Sequence, residues 1–106
     1  MGKKEVNLIK LLSEFKKKVN KEFNVTKFIL FGSRARKNNK KESDVDILIV
    51  SPDFEGRKSF KRSPKLYLMW NEDYEVDFIC LTPEELKQKQ KQISLVKDAV
   101  NKGIEI

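Results

Sequence analysis

Gly32-Ser33-Arg34-Ala35-Arg36-Lys37-Asn38-Asn39-Lys40-Lys41-Glu42-Ser43-Asp44-Val45-Asp46 joins two apolar runs, Phe28-Ile29-Leu30-Phe31 before it and Ile47-Leu48-Ile49-Val50 after it. A strand therefore ends in a small-residue turn, a basic loop follows, and two carboxylates open the next strand. Gly32 allows a sharp turn, and Ser33 is a good N-cap for a short helix through Arg34-Ala35-Arg36. A helix start with a hydroxyl, unpaired backbone N–H groups and two guanidinium groups is an anion site. Asp44 and Asp46 are two apart, so on a strand both leave the same face. A phosphate cradle and paired carboxylates this close together point to a metal-bridged polyphosphate.

The rest of the chain narrows the chemistry. Its 106 residues suffice for one domain, residues 1–106, with a modest core. There is no histidine and one cysteine, Cys80. That excludes His general bases, Ser-His-Asp and Cys-His triads, the common His-containing zinc sites and any internal disulfide. Chemistry must run on carboxylates, lysines, hydroxyls and hard metal ions. The 23 basic residues against 16 acidic ones give a formal charge of +7. Polyanionic partners suit that excess, though most of it is lysine scattered along helices, and a charged solvated surface accounts for it equally well. No apolar stretch approaches the ~20 residues of a membrane span and no signal-peptide pattern opens the chain, so no membrane partner and a cytoplasmic location are expected.

Towards the N-terminus, Val6, Leu8, Ile9, Leu11, Leu12, Phe15, Val19 and Phe23 recur at helical spacing, which predicts an amphipathic helix over 5–23 ended by Asn24. Lys16-Lys17-Lys18 read as its solvated face rather than as phosphate contacts. Val25–Phe31 is the first strand, apolar enough to be central, and Val45–Val50 is the second, buried on both sides. A loop covers 51–58, and Ser63-Pro64 reads as an N-cap with proline at the first helical position. The helix that follows turns Leu66, Met69 and Trp70 inward. Phe60, Tyr67 and Trp70 could stack a base, but core packing is the favoured use. Asn71–Tyr74 is a turn and Glu75–Leu81 the third strand, with Cys80 as a small buried filler.

Asp77 lies between apolar residues of that third strand, where nothing local explains a carboxylate. Set beside Asp46 on a neighbouring strand, it would put three carboxylates on one face. Such crowding is unfavourable unless a divalent cation sits among them. Thr82-Pro83-Glu84-Glu85 is a helix start with a capping box; Ile93, Leu95, Val96, Ala99 and Val100 give a second apolar stripe, with a break at Lys91-Gln92 left open, and Gly103 stops it. Ile104-Glu105-Ile106 suits a short edge strand.

Together, Gly32-Ser33, Ser43-Asp44-Val45-Asp46 and Asp77 on a later strand resemble the polymerase-beta-type nucleotidyltransferase superfamily, and the length narrows the resemblance to its minimal nucleotidyltransferases. The resemblance spans nearly the whole chain. It implies an α/β (α+β) fold in which helices flank a mixed central sheet. It further implies that Asp44 and Asp46 are shared metal ligands, that Asp77 joins them at the catalytic ion, that Ser33 binds the triphosphate and that Arg36 fills a matching basic position. Gly32 and Arg34 are nucleotide-binding candidates from the anion turn itself, and the hard oxygen donors favour a two-Mg²⁺ site. Lys37 departs from the pattern, standing where such proteins usually have glycine, so the grip on the triphosphate is left open while the metal site is not.

Minimal members are commonly paired with small helical HEPN proteins as antitoxin with toxin, and are understood to move AMP from ATP to a tyrosine of the partner. The resemblance therefore implies ATP as substrate, a HEPN-domain protein as partner, and a homo- or hetero-oligomer. A non-catalytic antitoxin acting by occlusion is the alternative from another class, and nucleotide addition to an RNA end a third, less favoured reading. Three poorly compensated acids favour the enzyme, because a binding module has no need of them.

Overall fold

The computed structural model describes residues 2–31, 45–71, 75–91 and 103–106. The expected short helix at 34–36, the loop at 37–42 and the apolar stripe from Ile93 to Val100 lie outside these residues, as does most of the turn before Glu75.

Helix α1, Gly2–Glu22, starts three residues before its expected position and buries Leu8, Leu12, Phe15 and Val19, with Phe23 just beyond its end. Burying these five side chains contributes on the order of 10 kcal/mol before conformational entropy is counted. The chain then turns at Asn24, whose N–H donates to Asp53 Oδ2 (2.6 Å), while the Val25 N–H donates to Asn20 Oδ1 (3.1 Å). Spent on that turn, Val25 does not join the sheet. Strand β1 is Lys27–Phe31, two residues shorter than the apolar run suggested.

Strand β2, Val45–Val50, lies antiparallel to β1, and β3, Val76–Leu81, lies parallel to β2. The two-residue strand β4, Ile104–Glu105, pairs antiparallel with the other side of β1, giving the order β3-β2-β1-β4. Lys16 Nζ donates to the Ile106 carbonyl (2.7 Å), which fastens this edge to α1. The architecture is thus the expected mixed sheet flanked by helices, with β1 and β2 both interior.

Alternation divides the sheet residues between two faces. Phe28, Leu30, Val45, Ile47, Ile49, Val76, Phe78 and Cys80 pack with α1 in the main core. Ile29, Phe31, Leu48, Val50 and Leu81 face the other way and meet Leu86. Leu86 belongs to α4, Pro83–Gln90, which opens with the predicted capping box: Glu85 N–H donates to Thr82 Oγ1 (3.1 Å) and Thr82 N–H to Glu85 Oε1 (2.9 Å). Among the described residues, no helix is long and apolar enough to cross a membrane.

The crossover from β2 to β3 differs from the sequence reading. A 3₁₀ turn at Pro52–Phe54 is capped by the Ser51 hydroxyl, and Gly56 takes a φ of +79° that L side chains rarely adopt. A helical turn α2, Ser59–Arg62, then precedes α3, Pro64–Met69. Because α2 already runs into it, Ser63 keeps helical backbone angles (φ −88°, ψ −22°), and its hydroxyl makes no capping bond. Leu66 is fully buried, and Trp70 meets Phe15 edge-on at 5.0 Å, so this indole is core rather than a stacking platform. Phe60, by contrast, is 69 % exposed.

Two crossover side chains close the outer edge of β3. Arg62 donates from a guanidinium nitrogen to the Cys80 carbonyl (3.0 Å), and the Phe78 N–H donates to the Tyr67 hydroxyl (3.1 Å). An open strand edge is a template for unwanted pairing, and these bonds occupy it.

Candidate active site

Asp46 and Asp77 are direct Cα partners in the parallel β2–β3 ladder. Both leave the sheet on the face of Leu48 and Ile79, opposite α1, by strand alternation. Asp46 is half-buried and Asp77 exposed. The lateral pairing considered from the sequence is therefore present in the register. On its other side Asp46 pairs with Phe31, the buried last residue of β1. The Val45 N–H donates to the Glu75 carbonyl (2.8 Å), setting the first rung of the ladder.

Gly32, Ser33, Arg34, Arg36 and Asp44 lie outside the described residues. Their flanking residues do not: Phe31 and Val45 stand at the same end of the sheet as Asp46 and Asp77. Chain connectivity thus begins and ends the Gly-Ser to Asp-Val stretch beside the two carboxylates.

Neighbouring strands lie about 4.8 Å apart, so two acids in register on one face repel. Asp77 is exposed, and in a solvated setting such repulsion is near ~1 kcal/mol, whereas a dry site would multiply it several-fold. The pair is tolerable where it stands, and it offers hard oxygen donors of the kind that suit Mg²⁺. Among the described residues, no three His, Cys, Asp or Glu side chains converge as a metal cluster.

A second polar arrangement, not anticipated from the sequence, lies at the opposite end of β3. Arg62, 5 % exposed, donates to the Glu85 carboxylate at 2.5 and 3.2 Å, to the Cys80 carbonyl, and through Nε to the Arg57 carbonyl at 2.9 Å. The guanidinium holds the Glu85 carboxyl below its usual range; burial opposes this and the Thr82 amide assists. Arg62 and Glu85 are 23 positions apart, so no local spacing betrays them, and Glu85 reads in sequence only as half of a capping box. The arrangement fixes α4 against the crossover and is structural.

The family model of the nucleotidyltransferase domain matches residues 12–105, from within α1 to β4 and across both aspartates. The chain belongs to the nucleotidyltransferase family. This nucleotidyltransferase is similar to a Methanocaldococcus jannaschii protein named "putative protein adenylyltransferase", with 28 % identity over 103 residues, covering 95 % of this chain and all of the relative. A crystal structure of a "putative nucleotidyltransferase" from Sulfolobus solfataricus shares its fold, with a TM-score of 0.69 and 26 % identity over 95 % of this chain and 80 % of that one. The fold and the transferase class expected from the motif residues are those of the nucleotidyltransferase family.

Proposed function

We propose that this nucleotidyltransferase uses Mg²⁺ and ATP to place AMP on a tyrosine hydroxyl of a HEPN-type protein, acting as the antitoxin of the pair. The observation that carries the reading is Asp46 in register with Asp77 at the sheet end where residues 32–44 begin and end. Similarity to a protein named for protein adenylyl transfer supports AMP as the group moved and a protein as acceptor.

In this reading Asp44, Asp46 and Asp77 would hold the metal ions, for which carboxylate oxygens are suitable donors. When bound, the ions would supply positive charge against the polyphosphate and the developing oxyanions. Asp77 orients the acceptor hydroxyl and takes its proton. The hydroxyl oxygen bonds to the α-phosphorus of ATP as the bond to pyrophosphate breaks. Ser33 and the backbone at Gly32, with Arg34 and Arg36, bind the terminal phosphates and stabilise the departing pyrophosphate.

The test is transfer of α-labelled AMP from ATP, with Mg²⁺, to the purified protein encoded beside this chain. Label is expected on a tyrosine of that protein, falling by roughly a hundredfold or more in Asp46→Asn and in Asp77→Asn, the scale of a lost catalytic group. Tight binding without label would overturn transfer in favour of occlusion. Label on RNA ends instead would move the acceptor to nucleic acid.

A further inference from the structure

The crossover turns a row of apolar side chains outward. Phe60 is 69 % exposed and Leu68 86 %, with Pro64 exposed between them. The three recur at i, i+4 and i+8. Since Ser63 keeps helical angles between α2 and α3, they fall along one strip of the helical surface. Arg62 and Leu66 occupy the opposite, buried side. Single exposed leucines need no explanation, but Phe60 and Leu68 together present roughly 300 Å² of apolar surface, on the scale of the largest patch of an ordinary monomer. Lys61 lies one position beyond the strip and Lys58 precedes it, and neither makes an ion pair among the described residues.

We propose that this strip docks the acceptor protein, through apolar side chains bordered by carboxylates; the inference rests on the protein-acceptor reading above. Charge selects the occupant. A second copy of this chain, itself at +7, would bring lysine against lysine across a two-fold interface. RNA would find one unengaged ring, Phe60: Pro64 and Leu68 have no aromatic face, and the 43 % exposed Tyr67 is held edge-on against Phe78 at 4.9 Å with its hydroxyl on the Phe78 amide. A partner strand cannot add to β3, since Tyr67 and Arg62 already hold the Phe78 amide and the Cys80 carbonyl. Side-chain docking by an acidic protein surface fits what is left. The strip also belongs to the segment that links β2 to β3, so a protein seated on it is carried by the same strands as Asp46 and Asp77.

The experiment measures binding of the purified neighbour-encoded protein by calorimetry, together with labelling kinetics. Phe60→Ser/Leu68→Ser changes exposed positions only, and its thermal melt checks that the fold is kept. Its Kd is expected to weaken at least tenfold, with KM for the acceptor rising in step and kcat at saturating acceptor within about twofold. Lys58→Glu/Lys61→Glu should weaken binding independently and flatten its salt dependence. Normal labelling with unchanged Kd in both double variants overturns the docking surface and leaves the transferase reading intact. A wild-type chain that neither binds nor labels the neighbour overturns the acceptor reading and this inference with it. Loss of self-association, or of binding to a 20-mer RNA, in Phe60→Ser/Leu68→Ser with partner affinity unchanged overturns it in favour of that other occupant.

Discussion

Replacing Arg62 with methionine keeps an unbranched apolar side chain and removes the guanidinium, whose carbon lies 6.0 Å from the Phe54 ring centroid, so it reads what the charged head contributes. Three acceptors lose their donor: the Arg57 carbonyl, the Cys80 carbonyl and the Glu85 carboxylate. The Cys80 carbonyl lies on a strand edge closed by the arginine itself, and leaving such a group unmet costs about 1–2 kcal/mol. The Arg57 carbonyl is in a loop that water can reach, so its loss is smaller. The Glu85 side chain is 38 % exposed, so its half of the ion pair is worth about 1 kcal/mol after screening, well below the value of a fully buried pair. The expected destabilisation is about 3 kcal/mol, a large share of the roughly 5–15 kcal/mol typical of a domain.

Urea unfolding followed by circular dichroism reads this directly. A loss of this size should lower the midpoint by about 2 M for a chain of this length. The pH dependence supplies a second readout. The folded Glu85 carboxyl lies below its unfolded value near 4.5, first because of the Arg62 hydrogen bond. The pair's contribution is therefore present at neutral pH and is lost as pH falls from about 4.5 through the folded value. The gap between wild type and Arg62→Met should narrow across that window. A midpoint shift under about 0.5 M at pH 7, or a gap that stays constant into acid, would refute the reasoning.

Burial pushes the Cys80 thiol up to about 12, against a weaker opposing pull from Arg62. At pH 8 its thiolate fraction is then about one in ten thousand, and native protein should react with a disulfide reagent roughly a thousandfold more slowly than urea-unfolded protein. The folded value exceeds the unfolded one near 9, so stability should decline as pH rises from about 9 towards 12; rapid native labelling at pH 8 would count against this. Tyr67→Phe removes the acceptor for the Phe78 amide at the outer edge of β3. It should cost about 1 kcal/mol and speed hydrogen exchange of that amide, and unchanged exchange would mean that the hydroxyl does not close the edge.

Local patterns carried the elements they could carry. The apolar residues of α1 have a 3.6-residue period that admits no other structure, and Thr82-Pro83-Glu84-Glu85 contains both halves of the reciprocal bonds that start α4. Strand order was not legible because β1 and β2 are apolar on both faces, and such runs fit any interior position. Ser63-Pro64 marked the start of α3 with Pro64 at its first position, but nothing in the dipeptide shows the preceding turn α2, which holds Ser63 in helical angles and leaves its hydroxyl without a capping bond. Arg62 was unreadable for a different reason. Its partners, Arg57, Cys80 and Glu85, are brought together only by the return of the crossover to the sheet. The carboxylates fared better: an aspartate amid apolar strand residues is costly without a reason, and that cost is visible in one dimension.

Core packing also sets the geometry of the carboxylate pair. In the parallel β2–β3 ladder, Val45 meets Val76, Ile47 meets Phe78 and Ile49 meets Cys80, and all six are buried on the face of α1. Sliding β3 by one residue would turn Phe78 and Cys80 to the other face and would carry Asp77 into the core. Sliding by two would keep the faces but place Asp77 opposite Leu48 or beyond the first residue of β2, away from Asp46. Neither shift preserves both the buried set and the open end. The arrangement that best fills the core is therefore the one that holds Asp46 and Asp77 side by side where the chain enters and leaves residues 32–44. Repulsion between the two acids is a small local cost against the burial of six apolar side chains, each worth about 1.5–3 kcal/mol for a large residue.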